Sequence, residues 1–313
     1  MRLLAGFRKA APRNFMMREP PAWIGGPLIV ATFVALCWLE RRRPLRRETQ
    51  RKLRRNLRNG AMAALSATAI RLTEKPLTAP LAALVERRRW GLVKRAGLPP
   101  WAEVAAAVVL LDYTLYVWHV LTHKVPFLWR FHQAHHVDLD LDASTAIRFH
   151  FAEMVLSVPW RLGQIVVVGA SPFSLGLWQL LTLLEIFFHH SNVRLPFALE
   201  RRLCRVIVTP RMHGIHHSTV HEETDSNWST IFSWPDYVHG TLRLDVAQDA
   251  IDIGVLAYRD PDELELDDVL KMPLTADRPS WQLHEPKRLL EKSIPLPTSA
   301  REPGETPPSE PVP

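Results

Sequence analysis

Sulfur ligands are almost missing from this chain: among 313 residues only Cys37 and Cys204 occur, far apart and in different local settings. They give no disulfide framework and no paired-cysteine metal motif, so any bound metal must be held mainly by nitrogen and oxygen. The N-terminal third has no histidine, and the HExxH signature of a zinc hydrolase occurs nowhere. No cleavable leader is expected, because the first apolar run begins near Ala22 and no small-residue cleavage site follows it. The formal charge of +7 comes largely from runs that adjoin apolar stretches and lack interleaved aromatics, which argues against a nucleic-acid partner.

The 47% hydrophobic content is segregated into long uncharged runs between arginine clusters, a division between membrane and water. Ala22 to Leu39 approaches the ~20 residues of a membrane span. RRRPLRRETQRKLRR follows at 41–55, which makes that loop cytoplasmic by the positive-inside rule. Asn59 to Val85 is apolar but carries Arg71, Glu74 and Lys75 and is interrupted by Pro76 and Pro80. A crossing with a broken end and a re-entrant or interfacial segment both fit it. Val104 to Trp118 is apolar apart from Asp112, a charge costly enough in a span to mark a functional position. Leu162 to Leu184 is the longest uncharged run, and Gly169-Ala170-Ser171-Pro172 should break it into a hairpin. The first helix of that hairpin starts near Phe151 and carries a second intramembrane charge, Arg161, in need of a partner. From Val246 the composition is that of a soluble segment, and from Ile294 prolines dominate.

All fourteen histidines lie between His119 and His284, and they cluster. WHVLTH sets His119 and His123 four apart, on one face of the helix that ends the Val104 span. HQAHH supplies His132, His135 and His136, and HGIHH repeats the spacing as His213, His216 and His217. His150 and Glu153 occur in RFHFAE, and His189 and His190 in FFHHSN at the end of the hairpin. If the spans run as read, these positions return to one cytoplasmic edge. His221, His239 and His284 are expected to be ordinary polar residues. So many imidazoles exceed what one ion can use, which argues for two. Asp112, Glu153 and Asp225 could each accept an N–H from a ligating imidazole and fix its tautomer, with Asn192 and Asn227 as further candidates.

With the boxes in this order, the chain resembles the fatty acid hydroxylase and sterol desaturase superfamily of integral-membrane di-iron enzymes. The resemblance runs from about Asp112 to Thr241 through DYTLYVWHVLTH, LWRFHQAHH, STAIRFHFAE, FFHHSNVRLP and TPRMHGIHHSTVHEETDSNWS, closing on HGT. His239 stands before Gly240 where the family commonly has an aromatic residue. The resemblance implies metal ligation by His119, His123, His132, His135, His136, His190, His213, His216 and His217, with His150 an addition to the set. It also implies iron, since spacing alone does not choose the metal, with dioxygen as co-substrate.

The expected fold is therefore all-α, a polytopic transmembrane helical bundle with a cytosolic histidine-rich di-metal cap. Residues 1–100 would form the N-terminal transmembrane and basic-loop region, 101–245 the catalytic region, 246–293 a soluble cytosolic segment and 294–313 a disordered tail. The expected activity is hydroxylation or desaturation of a lipid entering from the bilayer, with Trp118, Phe127, Trp129, Phe131, Trp178 and Phe187 as candidate lining of its cleft. Electrons would come from a separate donor, because no electron-carrier domain is recognisable. Multi-pass insertion is expected, in the inner or plasma membrane if the source is bacterial, with the site facing the cytoplasm. A metal-binding membrane protein without turnover and a membrane zinc hydrolase are the competing readings.

Overall fold

The computed structural model describes residues 13–275 and 278–281, and helices form its whole framework. Among the described residues, pairing of extended backbone is confined to isolated bridges such as Pro44 with Val193. Helix α1 (Ala22–Arg42) turns Trp23, Val30 and Val34 outward, as a helix surrounded by lipid does. Helices α2 (Lys52–Ala69) and α3 (Lys75–Arg88) form one continuous rod, joined by a π turn over Ile70–Glu74. Pro76 lacks an N–H and crowds the Leu72 carbonyl, and the wider turn there absorbs that mismatch, while Pro80 lies inside α3. The prolines therefore do not break the segment, contrary to the sequence reading.

After the short α4 (Leu92–Arg95), α5 (Pro100–Lys124) carries Asp112 and the first histidine pair. Val125 is held extended by the following proline, so α5 stops and α6 (Pro126–His136) starts in a new direction with the second box in its last turns. Helices α7 (Phe151–Leu156) and α8 (Val158–Gln164) continue into a π turn ending at Gly169. The break expected at 169–172 is present: Gly169 has φ 88°, and a Ser171–Ser174 capping box opens α9 (Pro172–His190). Gly91 and Gly169 pack backbone to backbone: a Cβ on Gly91 would collide with the Gly169 backbone, and one on Gly169 with the Trp90 carbonyl oxygen. That contact closes the bundle at the end away from the histidines. The short helices α10 (Phe197–Leu203), α11 (Pro210–His216), α12 (His221–Thr224), α13 (Trp234–His239) and α14 (Leu266–Lys271) gather at the histidine end.

Among the described residues, three helical stretches, Ala22–Arg42, Pro100–Lys124 and Phe151–Gly169, are long and apolar enough to cross a membrane. The main apolar core lies between α3, α5, α9 and the second π turn, around Leu111, Ile165 and Trp178. Arg161 finds the partner its position demanded: its Nε is 3.2 Å from Glu74 Oε2, and its guanidinium lies over the Trp178 ring. Residues 255–272 pack on Met62 of α2 and Ala134 of α6. His284 and the proline-rich tail at 294–313 lie outside the described residues.

Candidate metal centre

The helix ends bring the three histidine boxes together. His119, His123, His132 and His136 form one group and His135, His190, His213 and His217 a second, with the candidate ligand atoms of each group within 4.8 Å of one another. The neighbours His135 and His136 thus belong to different groups, which meet where His136 stacks on His217 at 4.2 Å. His216 belongs to neither set of four, yet its ring touches those of His119, His123 and His136 at 4.6–4.9 Å. Its Nε2 is buried without a partner. His150 is not brought to either group. Its Nδ1 caps α7 by accepting from the Ala152 N–H, and its Nε2–H donates to the Leu270 carbonyl at 3.1 Å.

The donor set suits a cation. The Nε2 atoms of His123, His132, His136 and His216 are buried with no hydrogen-bond partner, a cost a bound ion would remove. Three Nε2 pairs, His190 with His135, His213 with His190 and His217 with His213, stand 3.0–3.1 Å apart. Two nitrogens about 2.1 Å from one ion and at right angles to each other would be about 3.0 Å apart. Burial, reinforced by neighbouring imidazoles, holds His135, His136, His213, His216 and His217 well below the ordinary histidine range. The rings are therefore neutral, with lone pairs free.

Backbone carbonyls set the tautomers. Nδ1–H of His119 donates to Trp228 O at 2.7 Å, of His190 to Ile186 O at 2.7 Å and of His216 to Ser226 O at 2.9 Å, which turns each Nε2 inward. Glu153 accepts from His132 Nδ1 at 3.0 Å, as expected for a residue that orients an imidazole. Glu153→Gln should weaken metal retention by about 10–100-fold, read by competition with a graded series of chelators. His189, adjacent to His190, donates instead to Thr230 O at 3.1 Å and packs on His213.

The other expected imidazole acceptors do different work. Asp112 accepts the backbone N–H groups of Ile231 and Phe232 at 3.1 and 3.0 Å, because a loop buried against α5 needs acceptors for its donors. It holds the segment whose carbonyls at 228 and 230 receive His119 and His189. Asp236, which the sequence reading missed, does the same for the N–H groups of Trp228 and Ser229. Asp225 pairs with Lys124 and His221 near the surface. Asn192 exchanges two hydrogen bonds with the Arg46 backbone, at 2.7 and 2.9 Å. Asn227 sits at φ 53° and ties Met212 O of α11 to the Arg243 backbone. The His239 ring stacks on Tyr113 and Tyr116, the packing an aromatic side chain would supply.

The 41–55 arginine run is only partly a solvated membrane-side charge. Arg46, Arg55 and nearby Arg58 are buried. Arg55 binds Asp138 at 2.9 Å and Asp142 at 2.6 Å, in the acidic loop that directly follows the second box. Burial would raise the Asp138 carboxyl, but the guanidinium groups of Arg55, Arg148 and Arg58 overcome that and hold it low. Arg148 donates to Ala134 O inside the second box, and Arg46 to Pro210 O at the start of α11. The alternating DLDLD at 138–142 was the visible signal for this network.

A cavity of about 500 Å³, mostly apolar, opens from the wall formed by α2, α5, α8 and α9 and reaches His119, His132, His135, His190 and His213. Of the expected aromatic lining, Trp118, Trp178 and Phe187 face it, whereas Phe127, Trp129 and Phe131 do not.

Membrane-length helices that converge on paired imidazole groups define a membrane protein with a histidine-built site able to hold metal. Residues 104–241, which contain every histidine of both groups, match the fatty acid hydroxylase family model. The chain is 31% identical over 156 residues to an ornithine lipid hydroxylase of Rhizobium tropici, covering 49% of this chain and 45% of the relative. It is 29% identical over 147 residues to a cholesterol 25-hydroxylase-like protein of Danio rerio, covering 46% and 56%. A methylsterol monooxygenase of Arabidopsis thaliana is 29% identical over 149 residues, covering 46% and 49%. The chain thus spans about half the length of the curated relatives it matches. No solved structure matches it.

Proposed function

We propose that this chain is a multi-pass membrane oxygenase that hydroxylates a lipid with two iron ions. The observation that carries the reading is the convergence of eight imidazoles, in two groups of four, five of which line an apolar cavity partly walled by membrane-length helices. The relatives support it, being hydroxylases or monooxygenases of lipids and sterols by name. Those names favour hydroxylation over desaturation, although both begin with the same removal of hydrogen. His119, His123, His132 and His136 hold one ion, with His216 directed at the same group. His135, His190, His213 and His217 hold the other. Iron supplies the change of oxidation state that oxygen-dependent attack on an unactivated C–H bond requires and that zinc lacks.

The chain's own residues do the rest. Trp118, Phe187 and the apolar wall exclude water and fix the lipid chain against the histidines, so that the carbon nearest them is the one attacked. The Trp228, Ile186 and Ser226 carbonyls hold the imidazoles in place before substrate arrives. The site faces the cytoplasm: the arginine-rich segment after α1 packs beside the histidine end, and its charge sets that side. Electrons come from a separate donor.

The full chain, purified in uncharged detergent and loaded with ferrous iron, should consume dioxygen with a lipid extract and a reducing system. The product should be heavier by one oxygen atom. A chain that retains iron yet consumes no oxygen with any lipid extract overturns the reading, and a product lighter by two hydrogens makes it a desaturase.

A further inference from the structure

The lipid cavity carries charge at the end remote from the histidines, and this is where its selectivity is built. Arg161, Glu74 and Lys75 all line it. Glu74 is nearly sealed, its side chain 4% exposed, and it takes only the Nε side of Arg161, at 3.2 Å; Ser157 Oγ lies 3.4 Å from the same nitrogen. The Trp178 ring lies under the guanidinium, 5.9 Å from its carbon. The head of Arg161 is thus fixed from behind. Among the described residues, neither its terminal amino groups nor the exposed Lys75 meet a carboxylate or carbonyl. At this end two cations face one carboxylate, which leaves positive charge in excess there; the cavity's other carboxylate, Glu153, is at the histidine end on His132 Nδ1. An ionisable group within a membrane-length helix is costly and is kept where something pairs with it.

We propose that Arg161 and Lys75 bind an anionic group of the substrate, a carboxylate or phosphate, while its hydrocarbon runs along the cavity to the histidines. This rests on the lipid reading above and narrows it: the substrate is an acidic amphiphile, and a neutral sterol or alcohol is a poor fit. Arg161 is eight residues along the 151–169 stretch from Glu153, which orients His132, so about 12 Å of helix separate it from the histidine end. A guanidinium presents parallel donors that suit either oxyanion.

The test is binding, with no turnover needed. Metal-loaded full chain in uncharged detergent is titrated with dodecyl phosphate, dodecanoate and dodecanol, read by displacement of a fluorescent fatty-acid probe. The two anions should bind at least about tenfold more tightly than the alcohol. Arg161→Gln should erase that preference while metal content stays unchanged, Arg161→Lys should keep part of it, and Lys75→Gln, at an exposed position, should reduce it. Equal binding of anion and alcohol by the unaltered chain overturns the proposal, as does a preference that survives Arg161→Gln. Inorganic phosphate should compete poorly; displacement as effective as that by dodecyl phosphate would mean a site for free anions and also overturns it. Binding as expected without oxygen consumption sinks only the oxygenase reading. Oxygen consumption that treats alcohol and anion alike sinks only this one.

Discussion

Replacement of His135 by alanine is expected to lower turnover by more than about 100-fold, beyond the loss typical of a residue that merely orients a ligand. Metal content should fall from two ions per chain toward one, because His135 belongs to one of two separate groups of four imidazoles. Its Nε2 is 3.0 Å from that of His190, and its ring lies flat on Phe149 at 4.6 Å, so truncation opens the group without disturbing a membrane-length helix. Elution in detergent should therefore be unchanged. His216→Ala should act on the first group in the same way, whereas His284→Ala should be silent. Elemental analysis together with oxygen uptake checks all three variants, and full activity in His135→Ala or His216→Ala would sink the ligand assignment.

Arg55→Met is expected to give the largest loss of stability. The guanidinium is 1% exposed and holds two carboxylates that are equally buried, Asp138 and Asp142. Removing one member of such a buried set leaves uncompensated charge and costs on the order of 3–5 kcal/mol. At about 2–4 °C per kcal/mol, the midpoint of thermal unfolding in detergent should drop by on the order of 10 °C. Arg55→Lys keeps the charge but loses the fork that spans both acids, and should fall between the two. A melting curve of Arg55→Met that overlays that of the unaltered chain would show that the acidic loop is held by something else.

The histidine boxes were legible because helical spacing shows directly in sequence: His119 with His123, and His132 with His136, each one turn apart and each pair within one group. Which box partner joins which group was not legible. His135 leaves its neighbours to meet His190, 55 residues away, and only tertiary packing decides that. The hairpin break at 169–172 could be read because glycine and a serine–proline cap act locally. The rod through Pro76 and Pro80 could not, since a π turn has no composition of its own. Asp112 was rightly marked as a charge needing a purpose, but its purpose is backbone donors 119 and 120 residues downstream. Arg55 looked like part of a solvated basic loop because its acids lie 83 and 87 residues away.

Helix α6 serves both imidazole groups, through His132 and His136 on one side and His135 on the other, and the box on α11 and its cap gives His213 and His217 to one group while the His216 ring touches the other. Each helical residue advances the side chain by about 100°. Inserting or deleting a single residue within either box would therefore swing donors out of both groups together. A frame change in either short helix thus disturbs both groups at once, whereas a single substitution opens only one.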